Sequence, residues 1–339
     1  MIEFLLITII KALVIIGITF LIVAYSTWFE RKLLGHIQLR HGPMRVGFHG
    51  LLQPIADGIK SLFKEDVIPE NADTPVFLIA PMISLSAAIL LLSVIPFGPP
   101  IYIPIIEREF TLCLADIDIG ILFVLGISTI GAYGCMLGGW SSGNKYGVIG
   151  GLRSSAQMIS YELPLVLSVI PIIMVSGTSS LVEIVQSQAG LWNVVKCPFT
   201  FIAFILSVIC GLAELNRTPF DMAEAEAELA CGYNVEYSSL KFALFFIAEY
   251  MHMFIFAAIT TTLFLGGWQG PEIPFIGAGL SGLFYFSIKT FLIIFIFIWE
   301  RATFPRLRYD EVMQFGWKIL FPVSLVNILF TGLWLLTFN

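Results

Sequence analysis

Residues 1–29, "MIEFLLITIIKALVIIGITFLIVAYSTWF", carry two charged side chains, Glu3 and Lys11, in an otherwise apolar run. A helix crosses the roughly 30 Å hydrocarbon layer with about 20 apolar residues. This run is long enough to do so. It lacks the basic start and small-residue cleavage site of a signal peptide and exceeds the length of an apolar h-region, so it is expected to be the first membrane span. The rest of the 339-residue chain agrees: 58% of it is hydrophobic and 12% charged, with a mean hydropathy of +0.91. That is more apolar surface than a water-soluble core can hide.

Working outward, eight stretches are apolar enough to span: 4–29, 75–96, 119–140, 157–178, 198–213, 241–267, 279–300 and 317–338. The fifth is short and needs cover from its neighbours. These runs are continuous rather than alternating with period two, which excludes a closed barrel. The expected fold is all-α, a polytopic membrane protein forming one domain over 1–339. Lys and Arg collect on the cytoplasmic side of membranes. Here 14 of 18 fall in the connections 30–74, 141–156, 214–240 and 301–316 or at their edges, leaving only Lys11, Arg108, Lys196 and Lys289. Those connections are therefore expected to be cytoplasmic and both termini to lie outside. No internal repeat is evident, which counts against a carrier built from two related halves.

The first connection opens with Glu30-Arg31-Lys32 at the membrane edge. Between Leu51 and Phe63 apolar residues recur at helical spacing, with Asp57, Lys60 and Lys64 on the polar side. This predicts an amphipathic helix lying in the interface. Two readings stand: a basic anchor on anionic lipid, or a polar-lined mouth admitting an amphipathic molecule from the bilayer. The segment "GGWSSGNKYGVIGGLRSS", 138–155, is rich in glycine but lacks a phosphate-binding loop pattern and a preceding strand, so a flexible membrane-edge loop is expected.

Ionisable groups within spans are costly, about 2.5–3.5 kcal/mol at a helix centre, and are commonly functional. Glu162, Glu249 and Lys289 occupy such positions. The segment "AELNRTPFDMAEAEAELACGYNVEY", 213–237, adds Glu214, Asp221, Glu224, Glu226, Glu228 and Glu236, six of the 24 acids, against Arg217 alone. Either water solvates them as an exposed acidic loop, or a wet cavity holds them as a coupled proton path. The five cysteines show no C-x-x-C pair, and His36, His41 and His49 match no ligand spacing, so no metal site is expected. No basic stripe interleaved with aromatics points to nucleic acid.

The blocks "ERKLLGHIQLRHGP", "GLLQPIADGIKSLFKED", "NKYGVIGGLRSSAQMISYELPL", "AELNRTPFDMAEAEAELACGYNVEYSSLKFALFFIAEY", "TTLFLGGWQGP" and "RATFPRLRYDEVMQFGWK" occur in this order across nearly the whole chain. In them the chain resembles the H-type membrane subunit of respiratory complex I, the NADH:quinone oxidoreductase, whose mitochondrial counterpart is NADH dehydrogenase subunit 1. The resemblance implies a heel subunit of a bacterial inner-membrane complex that binds no flavin, iron-sulfur cluster or nicotinamide itself. FMN, NADH and the iron-sulfur clusters belong to partner subunits, and quinone is the substrate. Its implied partners are the peripheral-arm subunits carrying the terminal cluster, small membrane subunits, antiporter-like membrane subunits and membrane lipid.

By position, the resemblance places Glu30, Arg31, Asp57 and Lys60 at the quinone entrance, and Arg301, Arg306 and Arg308 in a hairpin facing the peripheral arm. It assigns Glu162, Glu214, Arg217, Asp221, Glu224, Glu226, Glu228 and Glu249 to a water-filled acidic passage coupling quinone reduction to proton pumping. His252 and Glu300 depart from what is common in the family. The alternative within the wider family is the membrane subunit of an energy-converting hydrogenase or ferredoxin-linked complex, which keeps the acidic passage without requiring quinone.

Overall fold

The computed structural model describes residues 2–103, 108–223, 226–271 and 277–338. α1 (Ile2–Ile37) is one continuous helix of 36 residues, about 54 Å long at 1.5 Å per residue. It outruns the hydrocarbon layer, so Glu30 and the residues after it lie toward or beyond one membrane edge. The chain then folds back, with the Arg40 amide donating to the Gly35 carbonyl at 2.8 Å.

α2 (Gln53–Phe63) opens with Pro54 in its first turn and buries none of its residues within the chain. Ile55, Ile59, Leu62 and Phe63 all stand exposed on it. Such an apolar stripe beside charged residues suits a helix lying in the interface, as its pattern predicts.

α3 (Thr74–Leu91) leads to a short antiparallel ribbon, β1 (Ile101–Ile103) with β2 (Arg108–Phe110), in which the backbone of Tyr102 pairs with that of Glu109. The ribbon is a small addition to an otherwise helical fold. α4 (Gly120–Ser141) and α5 (Lys145–Ser176) follow, then α6 (Leu181–Ser187), α7 (Asn193–Lys196) and α8 (Pro198–Glu214). α9 (Glu226–Leu229) precedes α10 (Ser239–Phe264), α11 (Ala278–Thr303), α12 (Tyr309–Phe315) and, after one π-helical turn, α13 (Phe321–Phe338).

Among the described residues, seven helices are long and apolar enough to cross a membrane, and α8 is a shorter apolar helix. At 17 residues, α8 spans about 25 Å, and α5 and α13 pack against it. Large apolar side chains such as Leu13, Leu21, Leu122, Ile159, Leu329 and Leu336 face outward. An exposed belt on this scale belongs in lipid, not water. The chain is a multi-pass membrane protein.

One expectation fails in the segment 138–155. It is not a loop: α4 runs to Ser141, and α5 begins at Lys145 with Asn144 capping it, the Tyr146 amide donating to Asn144 Oδ1 at 3.0 Å. The glycines are there for contact. A Cβ on Gly139 would stand 2.4 Å from the Gly147 carbonyl oxygen and 3.0 Å from the Gly151 Cα, so the two helices meet backbone to backbone. Tertiary packing overrides the poor helix propensity of glycine.

The core gathers around α10, whose Met251, Met253, Ala257, Ala258 and Phe264 are fully buried, with Tyr161 and Ile172 of α5 and Phe297 of α11 beside them. Because the atom met by a Cβ at position 139 is backbone, Gly139→Ala is expected to lower stability by about 1–3 kcal/mol, read as a lower midpoint of thermal unfolding in mild detergent.

Candidate functional site

α8 ends at Glu214, and the chain reverses through Asn216, which adopts a left-handed φ of 51°. Ala230, Cys231 and Ser239 also take positive φ, so four of the six described non-glycine residues of this kind lie between 216 and 239. Such conformations cost free energy and collect where a structure positions groups for a purpose. Here the reversal drives Arg217 inward.

Arg217 is 2% exposed. Its Nη1 donates to Glu30 Oε2 at 2.8 Å and its Nε to Glu249 Oε1 at 2.8 Å, while the guanidinium lies 4.3 Å from the centre of the Tyr250 ring. Glu30 Oε2 also accepts from the Tyr250 hydroxyl at 2.9 Å, and Glu30 Oε1 accepts from Arg301 Nη1. Two acids and two arginines thus join α1, the turn after α8, α10 and α11. Burial works against the charge on Arg217, but Glu30 and Glu249 beside it hold its pKa above the usual guanidinium value. One of its donors, Nη2, is buried without a hydrogen-bond partner.

A second tie lies alongside. Arg306 Nη2 donates to Asp221 Oδ2 at 2.7 Å, and the Leu307 amide donates to the Pro219 carbonyl at 3.3 Å. The link between α11 and α12 is thereby fastened to the acidic segment. Of the three arginines expected in that hairpin, Arg301 and Arg306 turn toward acids of this chain, whereas Arg308 stays exposed, with Asp310 3.7 Å away.

The acids of 213–237 divide between the two readings that their composition allows. Glu228 is largely exposed and accepts from Arg153 Nη1 at 2.9 Å. Glu236 accepts from Asn144 Nδ2 at 2.6 Å. Asp221 is buried, and Glu214 lines an internal cavity of about 100 Å3 together with Glu249, His252, Ser128 and Asn216. The acids that Arg217 binds, Glu30 and Glu249, both lie outside this segment. Glu224, and the side chain of Glu226, lie outside the described residues.

Farther along, Glu162 Oε1 accepts from Thr129 Oγ1 at 2.8 Å, linking α5 to α4. Arg31 Nη1 donates to Asp57 Oδ2 at 2.6 Å, linking α1 to α2, and Lys60 stands exposed one turn beyond Asp57. Between α1 and α11 runs an apolar groove of about 670 Å3 whose lining extends from Val14 to Trp28 and Phe29. It ends within one or two residues of Glu30.

Lys289 has a structural explanation. Its ammonium donates to the carbonyls of Leu265, Gly267 and Gln269 at 2.7, 3.1 and 2.7 Å and sits 4.6 Å from the Trp192 ring. The residues that sequence reading passes over are Tyr250, Arg153, Asn144 and Thr129. Each is an ordinary polar residue whose importance comes from a partner 33 to 220 positions away. Tyr237 is another: its ring stacks on Phe77 at 4.1 Å, its hydroxyl donates to the Phe77 carbonyl at 3.2 Å, and burial pushes its pKa up to about 12.

Residues 10–332 match the family model described as NADH dehydrogenase. The chain is 50% identical over 335 residues to the second H-type subunit of NADH-quinone oxidoreductase from Geobacter metallireducens, covering 96% of this chain and 94% of that protein. It is 50% identical over 333 residues to the first H-type subunit of the same enzyme from Geobacter sulfurreducens, covering 95% and 93%. To the H-type subunit from Syntrophotalea carbinolica it is 46% identical over 332 residues, covering 98% and 97%.

Removing one member of a buried ion network leaves the others charged and unpaired, at a cost of about 3–5 kcal/mol. Arg217→Gln is expected to lose that much, and adding Glu249→Gln to recover part of it, in thermal unfolding of the detergent-solubilised protein. A double variant no more stable than the single one would show that Glu249 is not coupled to Arg217.

Proposed function

Because this chain belongs to the NADH dehydrogenase family, we propose that it is the membrane-arm heel subunit of a proton-translocating NADH:quinone oxidoreductase. In this reading it forms the quinone entrance, part of the quinone chamber and an acidic passage that couples quinone reduction to pumping. The observation that carries the proposal is Arg217. It joins Glu30, one of the entrance residues, to Glu249, one of the passage residues, through two direct 2.8 Å bonds.

The chemistry follows from this adjacency. The apolar groove beside α1 suits a hydrocarbon chain, and α2 offers Asp57 and Lys60 at the membrane edge. A change of charge near Glu30 or Arg301 alters the balance around Arg217 and hence the field at Glu249. From Glu249 the cavity leads to Glu214, while Glu162 extends the acids along α5. Interacting carboxylates titrate as a group, so a small displacement of charge at one end redistributes protons along the set. Moving a charge against the membrane potential costs about 2.3 kcal/mol per 100 mV, so the redox step and the passage must be tightly linked.

The proposed roles therefore divide between entrance and chamber (Glu30, Arg31, Asp57, Lys60, Arg301, Arg306, Arg308) and passage (Glu162, Glu214, Arg217, Asp221, Glu224, Glu226, Glu228, Glu249). The bundle acts as a single domain, 1–339, in a bacterial inner membrane, with the connections at 30–74, 141–156, 214–240 and 301–316 on the cytoplasmic side. There it meets peripheral-arm subunits bearing the terminal iron-sulfur cluster. Small and antiporter-like membrane subunits, with lipid, surround it in the bilayer. The chain binds no redox cofactor alone; quinone is the substrate, and FMN, NADH and the clusters are served by partners.

Pull-down through a tag on this chain in mild detergent is expected to bring an assembly containing flavin and iron-sulfur clusters, with NADH:quinone activity blocked by a quinone-site inhibitor. An assembly that ignores NADH and carries a hydrogenase-like or ferredoxin-docking partner would replace the proposal with the alternative complex. In the assembled enzyme, Glu214→Gln is expected to slow inhibitor-sensitive turnover by about 100-fold, the lower end of what a positioned proton-transfer group contributes, with the complex still fully assembled. Normal coupled turnover would remove Glu214 from the passage.

A further inference from the structure

His252 lies three residues after Glu249 on α10, on the same helical face. Its Nε2 is buried with no hydrogen-bond partner, and the side chain lines the cavity that Glu214, Glu249, Ser128 and Asn216 also reach. A second unpartnered buried polar atom, Asn216 Oδ1, belongs to the same lining. The imidazole is admitted by α4: a Cβ on Gly131 would stand 2.9 Å from Nε2 and 3.0 Å from Cε1. The ring is therefore held at the cavity wall by close packing.

We propose that this cavity holds a short chain of water molecules and that His252 is a proton carrier within it, between Glu214 and Glu249. This rests on the acidic passage proposed above and assigns it a further residue. A volume of about 100 Å3 exceeds what a single water requires, and Glu214, Glu249, His252, Ser128 and Asn216 supply polar partners in a lining that is otherwise chiefly apolar. Water also answers the orphaned atoms, since a buried polar atom without a partner is costly and a bridging water satisfies it. The titratable groups around the imidazole are Glu249 on its own helix, Glu214 at the end of α8, Cys135 on α4 and Tyr233 before α10. Glu214 and Glu249 are the carboxyls among them, and an imidazole can both take up and release a proton.

The step is a simple transfer. A proton arriving by water from Glu214 forms the Nε2–H bond as an O–H bond of that water breaks. Release of the same proton to the water facing Glu249 restores the neutral ring. While protonated, the imidazolium shares its cavity with two acids, so the cavity can hold one mobile positive charge without exposing it to lipid.

The test uses the assembled complex in proteoliposomes, with NADH:quinone turnover and proton uptake followed against pH. His252→Asn keeps a polar amide but cannot carry a proton. It is expected to lower coupled turnover by about tenfold, a modest share of what a proton-transfer group contributes, and to remove one titration step from the wild-type pH profile. Gly131→Ala keeps the imidazole but pushes it off its position, and is expected to give the same loss; it also carries the test should His252→Asn fail to assemble. If Glu214→Gln slows turnover while His252→Asn and Gly131→Ala keep the wild-type rate, profile and pumping, His252 is no carrier and the acidic passage stands without it. If all three leave coupled turnover unchanged, Glu214 falls out of the passage and His252 is no carrier.

Discussion

Arg217 is a permanent charge buried within the bundle, and the residues around it are arranged to satisfy it. A guanidinium in a low-dielectric interior is tolerated only when paired and hydrogen-bonded. Glu30 and Glu249 supply the counter-charge, Tyr250 the aromatic face and the second donor to Glu30, and Arg301 balances what would otherwise be an excess of acid. These residues come from four separate elements. Satisfying one arginine therefore fixes how α1, α10, α11 and the reversal after α8 meet.

A network of this kind is a costly way to hold helices together, since apolar packing of similar volume is often as stable or more so. What it provides instead is sensitivity. Its oxygens and donors are shared, so a change of charge at Arg301 or Glu30 is felt at Glu249 without any large movement. The neighbouring cavity is lined by Glu214, Glu249 and His252, the groups on which the proposed passage draws. The outer turns around Lys289 show the opposite design, in which one ammonium is held by three carbonyls and closes a loop, with no acid paired to it among the described residues.

The resemblance carried by the six sequence blocks and the match to the NADH dehydrogenase family agree over nearly the full chain. Their agreement does not make every expected residue equivalent. Among the hairpin arginines, Arg301 and Arg306 reach buried acids of this chain, whereas Arg308 stays exposed beside the equally exposed Asp310. Glu228 and Glu236 are likewise matched at the edge of the bundle by Arg153 and Asn144, while Glu214 faces the interior cavity. One acidic run thus serves two environments, because a turn and short helices rotate successive carboxylates to different sides.

Hydropathy alone marked the apolar helices, seven of them long enough to cross a membrane among the described residues and α8 shorter than a full span, since span length follows from bilayer thickness and needs no tertiary information. The interfacial nature of α2 was equally legible, because amphipathic periodicity is local. Helix ends were less so. α5 begins twelve residues before its apolar stretch does, a result of glycines that allow α4 and α5 to touch, and glycine in isolation reads as loop. The pairing of Arg217 with Glu30, 187 residues away, could come only from the tertiary structure: a sequence shows which charges exist, but the solvent each one lacks, and hence the partner it requires, is decided by how the helices pack.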